Sequence, residues 1–419
     1  MEEIQSWLGN TYNSSLSKSP SSSSSATTST SHETHSTPTL CEYTSFNSLE
    51  STNNIYSHNN NNNNYPISKP SISYFCITSL KTLTPQISCV AVDNNNLYAA
   101  TIKEIYVYDL TSYELIDTFG SGSGSGLVKS IAFSDRKIFT AHQDCKIRVW
   151  KQVISTSSCK QRHQLISTLP TLKDRLFNCM LQKNYVQVRR HKQKLWIEHA
   201  DVVSGLAVNN DVGLMYSVSW DKCFKIWKIS SDMHCLESVK AHDDAINAVV
   251  INTFDNTIYT GSADGKIKVW KKSGDSKKHL AIATLAEHES SVNALALTND
   301  GSVLCSGGGD KIIHVWEKRD NCENHMFVCC SLKGHRGAIL SLTHVNGVVI
   351  SGSSDKTLRI WKYGKDFGGC LAVLEGHCKP VKSIVAISDG DLDDNLVVFS
   401  GSLDGEIRVW KVVISNYRD

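Results

Sequence analysis

The chain has 419 residues, 43 Lys or Arg against 41 Asp or Glu, and a formal net charge of +2 at pH 7. That balance supplies no global field to draw it to nucleic acid or to an anionic membrane surface. Fourteen cysteines form no Cys-x-x-Cys pair, and Met1-Glu2-Glu3-Ile4 opens no apolar leader. The expectation is therefore reduced thiols in the cytoplasm or nucleus, with no membrane span.

In chain order, residues 1–72 come first, with a Ser/Thr-rich tract (Ser17 to Ser31) and an Asn run (Asn59 to Asn64). Such a composition buries too little apolar area to offset ordering entropy, so a disordered low-complexity tail is predicted. Ser19-Pro20 and Thr37-Pro38 are candidate phosphate acceptors in it, and Ile4 to Leu8, carrying Trp7, is its one apolar anchor. The stretch 75–83 reads as a strand. Residues 87–119 follow, with Ile105-Tyr106-Val107-Tyr108 as a further strand, and the Gly/Ser alternation from Gly120 to Gly126 reads as a flexible linker.

From here a frame recurs six times: Ser or Thr, three residues, Asp, five residues, Trp. It stands at Thr140/Asp144/Trp150, Ser217/Asp221/Trp227, Thr260/Asp264/Trp270, Ser306/Asp310/Trp316, Ser351/Asp355/Trp361 and Ser400/Asp404/Trp410. The runs ending at each Trp, such as Ile267-Lys268-Val269-Trp270, are short and β-branched, and the Ala-Asp-Gly or Ser-Asp-Lys stretch before them is hairpin turn chemistry. Further apolar runs on either side bring each period to four strands, and the Trp spacings after Trp227 are 43, 46, 45 and 49 residues. Four strands in roughly 40 to 50 residues is the signature of a β-propeller blade.

The frame resembles the WD40 repeat family, over residues from about 75 to 415. The family's Gly-His element stands at Gly334-His335 and Gly376-His377, and in altered form at Glu198-His199, Ala241-His242 and Glu287-His288. The resemblance implies an all-β, seven-bladed ring after the tail, spanning 73–415. Blade 1 (about 87–119) is degenerate, with Ile102 where the Asp would stand. Blade 2 (about 127–197) carries a basic insertion at 159–194. Blades 3 to 6 cover 199–239, 242–286, 288–333 and 335–375, and blade 7 (377–413) is closed by strand 75–83. The resemblance further implies that Asp accepts from His, His reaches the Ser or Thr hydroxyl, and the Trp indole N–H completes the chain.

Hydroxyl, imidazole and carboxylate together also suggest nucleophilic catalysis. An enzyme builds one such site, whereas this set recurs in blade after blade, so a structural network is expected and no catalytic residue, cofactor or metal is assigned. Two positions before each Trp stand Arg148, Lys225, Lys268, His314, Arg359 and Arg408; their stems are expected to cover the indole while the charge reaches solvent.

If His and Asp bond, their loops share one rim. On it Asp201, Asp243, Asp244 and Glu289 follow the histidines of blades 3 to 5, Arg336 and Lys379 those of blades 6 and 7, and Trp220 precedes Asp221 as a candidate partner-binding anchor. The 77 residues between Trp150 and Trp227 hold the insertion, where nine Lys or Arg face one acid, Asp174, between Lys160 and Lys194. Leu172, Leu176, Phe177 and Met180 have helical spacing, predicting a short helix packed on the ring, followed by a basic outer strand ending at Trp196. Arg189, Arg190, Lys192 and Lys194 make that segment a candidate docking patch for an acidic partner or nucleic acid.

The functional expectation is a monomeric, non-catalytic scaffold for other proteins. Tyr74 to Leu80, Leu195 to Asp201 and the insertion most resemble the plant JINGUBANG-like group, which implies a negative regulator of pollen germination and tube growth acting through a transcription factor. Two alternatives stand beside it: a substrate receptor of a cullin-type ubiquitin ligase, for which Trp316-Glu317-Lys318-Arg319 is a weak signal, and nucleic-acid binding through the insertion.

Overall fold

A computed structural model describes residues 71–120, 124–154, 161–230, 232–273, 278–318, 326–364, 368–389 and 395–415. Most of the predicted tail, Arg319 and the acidic stretch 390–394 lie outside them. Among the described residues are seven antiparallel four-stranded sheets, the blades of a propeller. No helix is long and apolar enough to cross a membrane.

Each sheet is built by hairpins. In blades 2 to 7 the residue after the repeat Asp takes a left-handed conformation, with φ of 67° at Cys145, 71° at Lys222, 79° at Gly265, 70° at Lys311, 74° at Lys356 and 85° at Gly405. The Asp oxygens accept the amides that follow, for example Cys223 N at 2.9 Å and Lys266 N at 3.0 Å, so the turn is held by its own side chain. Closure uses chain ends. Strand Ser71–Lys81 pairs with Glu406–Ser415, which continues to Asn395–Ser402 and Val381–Ser388, so blade 7 takes its outer strand from the start of the described chain.

Adjacent blades meet through apolar layers, and glycine permits the approach. A Cβ at Gly261 would lie 2.7 Å from Val292 of the next blade, and one at Gly401 would lie 2.6 Å from Ile87 of blade 1. Ile87, Val90, Tyr106, Phe399 and Ile407 form one buried cluster there, joining last blade to first.

The insertion departs from expectation. The outer strand of blade 2 is Gln161–Leu169, paired with Ile147–Ile154, and it precedes the helix. The basic segment forms a separate two-stranded hairpin, Tyr185–Arg189 with Lys192–Leu195. The physical reason lies in Leu165, Ser167 and Leu169, which pair with Trp150, Val149 and Ile147 and complete the sheet before the helix begins.

Helix Leu172–Cys179 is capped by Thr171, whose hydroxyl accepts from Asp174 N at 3.1 Å. The expectation that its apolar residues pack on the ring is overturned. Asp174 accepts from the Cys235 amide at 3.2 Å, Asn178 Oδ1 accepts from Trp196 Nε1 at 3.0 Å, and Arg175 pairs with Glu198 at 2.9 Å. The polar side holds the helix, leaving Leu172 78%, Leu176 67%, Phe177 71% and Met180 84% exposed. Asn178→Ala should therefore loosen the helix at a cost of about 1 kcal/mol, read as a change in Trp196 fluorescence with ring unfolding nearly unchanged.

Candidate functional site

Two surfaces and one recurring buried network are candidates for function. In blades 3 to 7, His Nδ1 lies 2.8 to 3.0 Å from an Asp oxygen: His199 with Asp221, His242 with Asp264, His288 with Asp310, His335 with Asp355, His377 with Asp404. Nε2 lies 2.7 to 2.8 Å from Ser217, Thr260, Ser306, Ser351 and Ser400. The same hydroxyl oxygens accept from Trp227, Trp270, Trp316, Trp361 and Trp410 at 2.7 to 2.9 Å.

An ionised carboxylate only accepts, so a neutral imidazole donates from Nδ1 and takes the hydroxyl proton at Nε2. Burial disfavours the Asp221 anion, but His199 and the Ala200 amide outweigh it and hold the carboxyl well below its usual range. Burial holds His199 below its ordinary value despite the attraction of Asp221. The five hydroxyl-bearing residues are fully buried, so none is placed to attack a substrate. What the network does is tie the segment before the inner strand to the second strand, the turn and the third strand of each sheet.

Blade 2 solves the same problem with different residues. His142, two residues after Thr140, meets its hydroxyl at 2.7 Å, and Trp150 donates to that oxygen at 2.9 Å. Asp144 instead accepts two bonds from Arg148, at 3.1 and 2.6 Å. The expectation that charges beside the Trp reach solvent is thereby corrected: Arg148 is 8% and Lys225 3% exposed. Lys225 donates to the Trp196 carbonyl and Ser238, and Lys268 to the Ala241 carbonyl, because the neighbouring backbone offers acceptors that water would otherwise supply. A further device joins outer strands of neighbouring blades: His163 meets Asp117 at 2.7 Å, and His279 meets Glu237 at 2.8 Å.

The recurrence coincides with one family model. The family described as "WD domain, G-beta repeat" matches residues 191–228, 233–271, 280–317, 327–362 and 368–411. The chain carries five WD40 repeats. These are the blades with the His–Asp–hydroxyl–Trp network, and the two outside the matches are those whose geometry departs from it. No curated protein matches the chain.

On the WD40 ring's His–Asp rim, Asp243, Asp244, Glu289, Arg336 and Lys379 are exposed, while Asp201 is half-buried and bonds the Val202 amide. Trp220 is half-buried, its amide donates to Val202 O, and the Lys129 ammonium lies 5.1 Å from its ring centroid. Lys129 and Lys382 occupy equivalent bulges at the starts of the inner strands of blades 2 and 7. Burial, and then the charge of Lys382, push Lys129 down to about 8.

The basic hairpin presents Arg190 and Lys192 exposed, with Arg189 at the end of its first strand. Lys194 is half-buried and donates to the His199 carbonyl at 2.9 Å, so it braces the entry to blade 3. Arg190 and Lys192 thus stand on the surface in the same insertion as the helix. Sequence spacing located that helix but missed Asp174 and Asn178, one turn apart, as the residues that hold it.

Proposed function

We propose that this protein is a non-catalytic scaffold that docks another protein on the insertion of blade 2. The observation carrying the proposal is the inverted helix: four large apolar side chains, Leu172, Leu176, Phe177 and Met180, stand in solvent on a segment that polar contacts fix to a rigid ring. Contiguous exposed apolar surface costs solubility and marks interaction sites. Arg190 and Lys192 in the same insertion supply positive charge, so an acidic amphipathic helix of the partner is the complementary ligand. Trp220 already stacks with Lys129, which leaves the rim groups Asp243, Asp244, Glu289, Arg336 and Lys379 as a charged second surface for orientation.

By its resemblance to the JINGUBANG-like group, the process such a scaffold serves is restraint of pollen germination and tube growth through a transcription factor; only the resemblance supports that step. Among the described residues, the ligase-receptor and nucleic-acid readings have no supporting contact of comparable specificity, and Arg319 lies outside those residues.

The test uses the full chain with a labelled synthetic helix bearing Leu on one face and Glu on the other. Phe177→Glu with Leu176→Glu should weaken binding at least about tenfold, as loss of two buried apolar anchors requires, while changing stability by less than about 0.5 kcal/mol. Trp220→Ala should leave that affinity intact. Equal binding by the helix variant would remove the proposal. Binding of a single-stranded RNA probe with a steep salt dependence, lost on neutralising Arg190 and Lys192, would replace it with the nucleic-acid reading.

A further inference from the structure

Blade 5 departs from the repeat twice, and both departures meet at one point. The first is His314, which stands where the other tetrad blades carry Lys225, Lys268, Arg359 and Arg408. Its Nδ1 faces Ser331 Oγ at 2.8 Å, whereas its Nε2 is buried and has no hydrogen-bond partner. The residue is 8% exposed. A buried imidazole nitrogen left unpaired costs free energy in every state of the protein that lacks a ligand for it.

The second departure is Gly308. The matching residues in blades 3, 4, 6 and 7 are Ser219, Ser262, Ser353 and Ser402, whose hydroxyls accept from the amide of the repeat Asp at 3.1 to 3.3 Å. In blade 5 the side chain is missing, and a Cβ at Gly308 would lie 2.6 Å from both His288 Nδ1 and Asp310 Oδ1. His288 and Asp310 therefore crowd the position that a serine's Cβ takes elsewhere, and a side chain there would push them away. The rings of His288 and His314 meet edge to face there, with centroids 4.5 Å apart at 68°.

We infer that blade 5 binds one divalent metal ion of the zinc class through His288 Nδ1, the Asp310 carboxylate and His314 Nε2. One ligand atom from each of these three residues lies within 4.8 Å of the other two. Bonds of about 2.0 to 2.1 Å in a tetrahedral shell place ligand atoms roughly 3.3 Å apart, so the three side chains draw together on the ion and solvent takes the fourth place. Two imidazoles and one carboxylate suit zinc better than the hard cations, which prefer oxygen alone. Ser331 can accept from His314 Nδ1–H, and in that tautomer the Nε2 lone pair is available to the ion. On binding, the His288 Nδ1 proton moves to Nε2, which then donates to Ser306 Oγ. The Ser306 proton turns to a strand carbonyl, an arrangement available to Thr260, Ser351 and Ser400, whose oxygens lie 3.4 Å from such carbonyls. No proton leaves the protein in this exchange, and the Trp316 bond to Ser306 is retained.

The experiment is a titration of the full, reduced chain with Co²⁺, followed by displacement with Zn²⁺, on the natural protein, His314→Lys and Gly308→Ser. Both variants restore the residue that other blades carry, so both should fold. Expected is one saturable site with tetrahedral cobalt bands lacking thiolate charge transfer, weakened about 100-fold by His314→Lys, and weakened at least about tenfold by Gly308→Ser. Zn²⁺ should also raise the urea midpoint of the natural protein and leave that of His314→Lys unchanged. The inference is overturned if no saturable one-to-one phase appears, if both variants bind as the natural protein does, or if thiolate charge transfer shows that cysteines hold the ion.

Discussion

Trp361→Ala should be among the most damaging single substitutions in this ring, lowering stability by about 4 kcal/mol, the range for truncating a large buried aromatic. Trp361 is 1% exposed and lies in a cluster with Ala296, Cys305, Val315, Leu332, Ile339 and Val349. Those residues belong to blades 5 and 6, so the cavity would open at the seam between two sheets as well as inside one. Its indole N–H also donates to Ser351 Oγ at 2.7 Å, and that oxygen meets His335 Nε2 at 2.7 Å. Trp361→Phe keeps most of the volume and removes the donor, for a smaller loss of about 1 to 2 kcal/mol. Ser351→Ala strands both the indole and the imidazole, and combining it with Trp361→Phe should cost less than the sum, because the second change removes a group already left without its partner. Urea unfolding followed by circular dichroism reads all four proteins. A Trp361→Ala loss below about 1 kcal/mol would mean that the seam repacks and that the network does not hold the blades in register.

The blades that were easiest to read from sequence are those where several constraints fall on one short stretch. Asp264, Gly265, Lys268 and Trp270 each answer a separate demand: an amide acceptor, a left-handed turn, a cation for a buried carbonyl and an indole for the seam. Blade 2 obscures this because His142 reaches Thr140 from within its own strand, while the other histidines arrive from a loop upstream. Spacing alone therefore found its Asp and Trp and missed its His. The outer-strand pairs were missed although a signal existed. Asp117 precedes His163 by 46 residues and Glu237 precedes His279 by 42, each about one blade apart. Periodicity also gave the helix at Leu172 without its orientation. An apolar stripe states which residues share a face; whether that face turns inward depended on Asp174 and Asn178 finding the Cys235 amide and the Trp196 indole. Likewise, a cation two before each Trp looked like a solvated residue until the structure placed the Trp196 and Ala241 carbonyls within reach of Lys225 and Lys268.

The second large effect is expected on the acid side of neutrality. Burial, reinforced by the Arg148 charge, pushes His142 down to about 3, with Asp144 opposing it. His199, His242 and His377 are likewise lowered, each chiefly by burial. In the unfolded chain these histidines take up a proton near pH 6.5, whereas in the folded ring they resist it. Below pH 6.5 the unfolded state therefore binds more protons, and stability falls as pH falls, by up to about 1.4 kcal/mol per pH unit for each such group within its window. Asp221, Asp264, Asp355 and Asp404 are held below their ordinary values against the effect of burial, so their contribution is present above about pH 4 and is lost on further acidification. The two sets act in the same direction, one after the other. Urea midpoints measured from pH 7 to pH 3.5 should thus decline steadily rather than pass through a plateau. His142→Gln should reduce the slope between pH 6.5 and 4, because it deletes one group that titrates only when unfolded. Asp221→Asn should be destabilised at pH 7, and the difference from the natural protein should close as pH falls through the carboxylate's folded range. A midpoint flat between pH 7 and 5 would show that the histidines ionise in place, and the neutral imidazole assigned to the network would then be wrong.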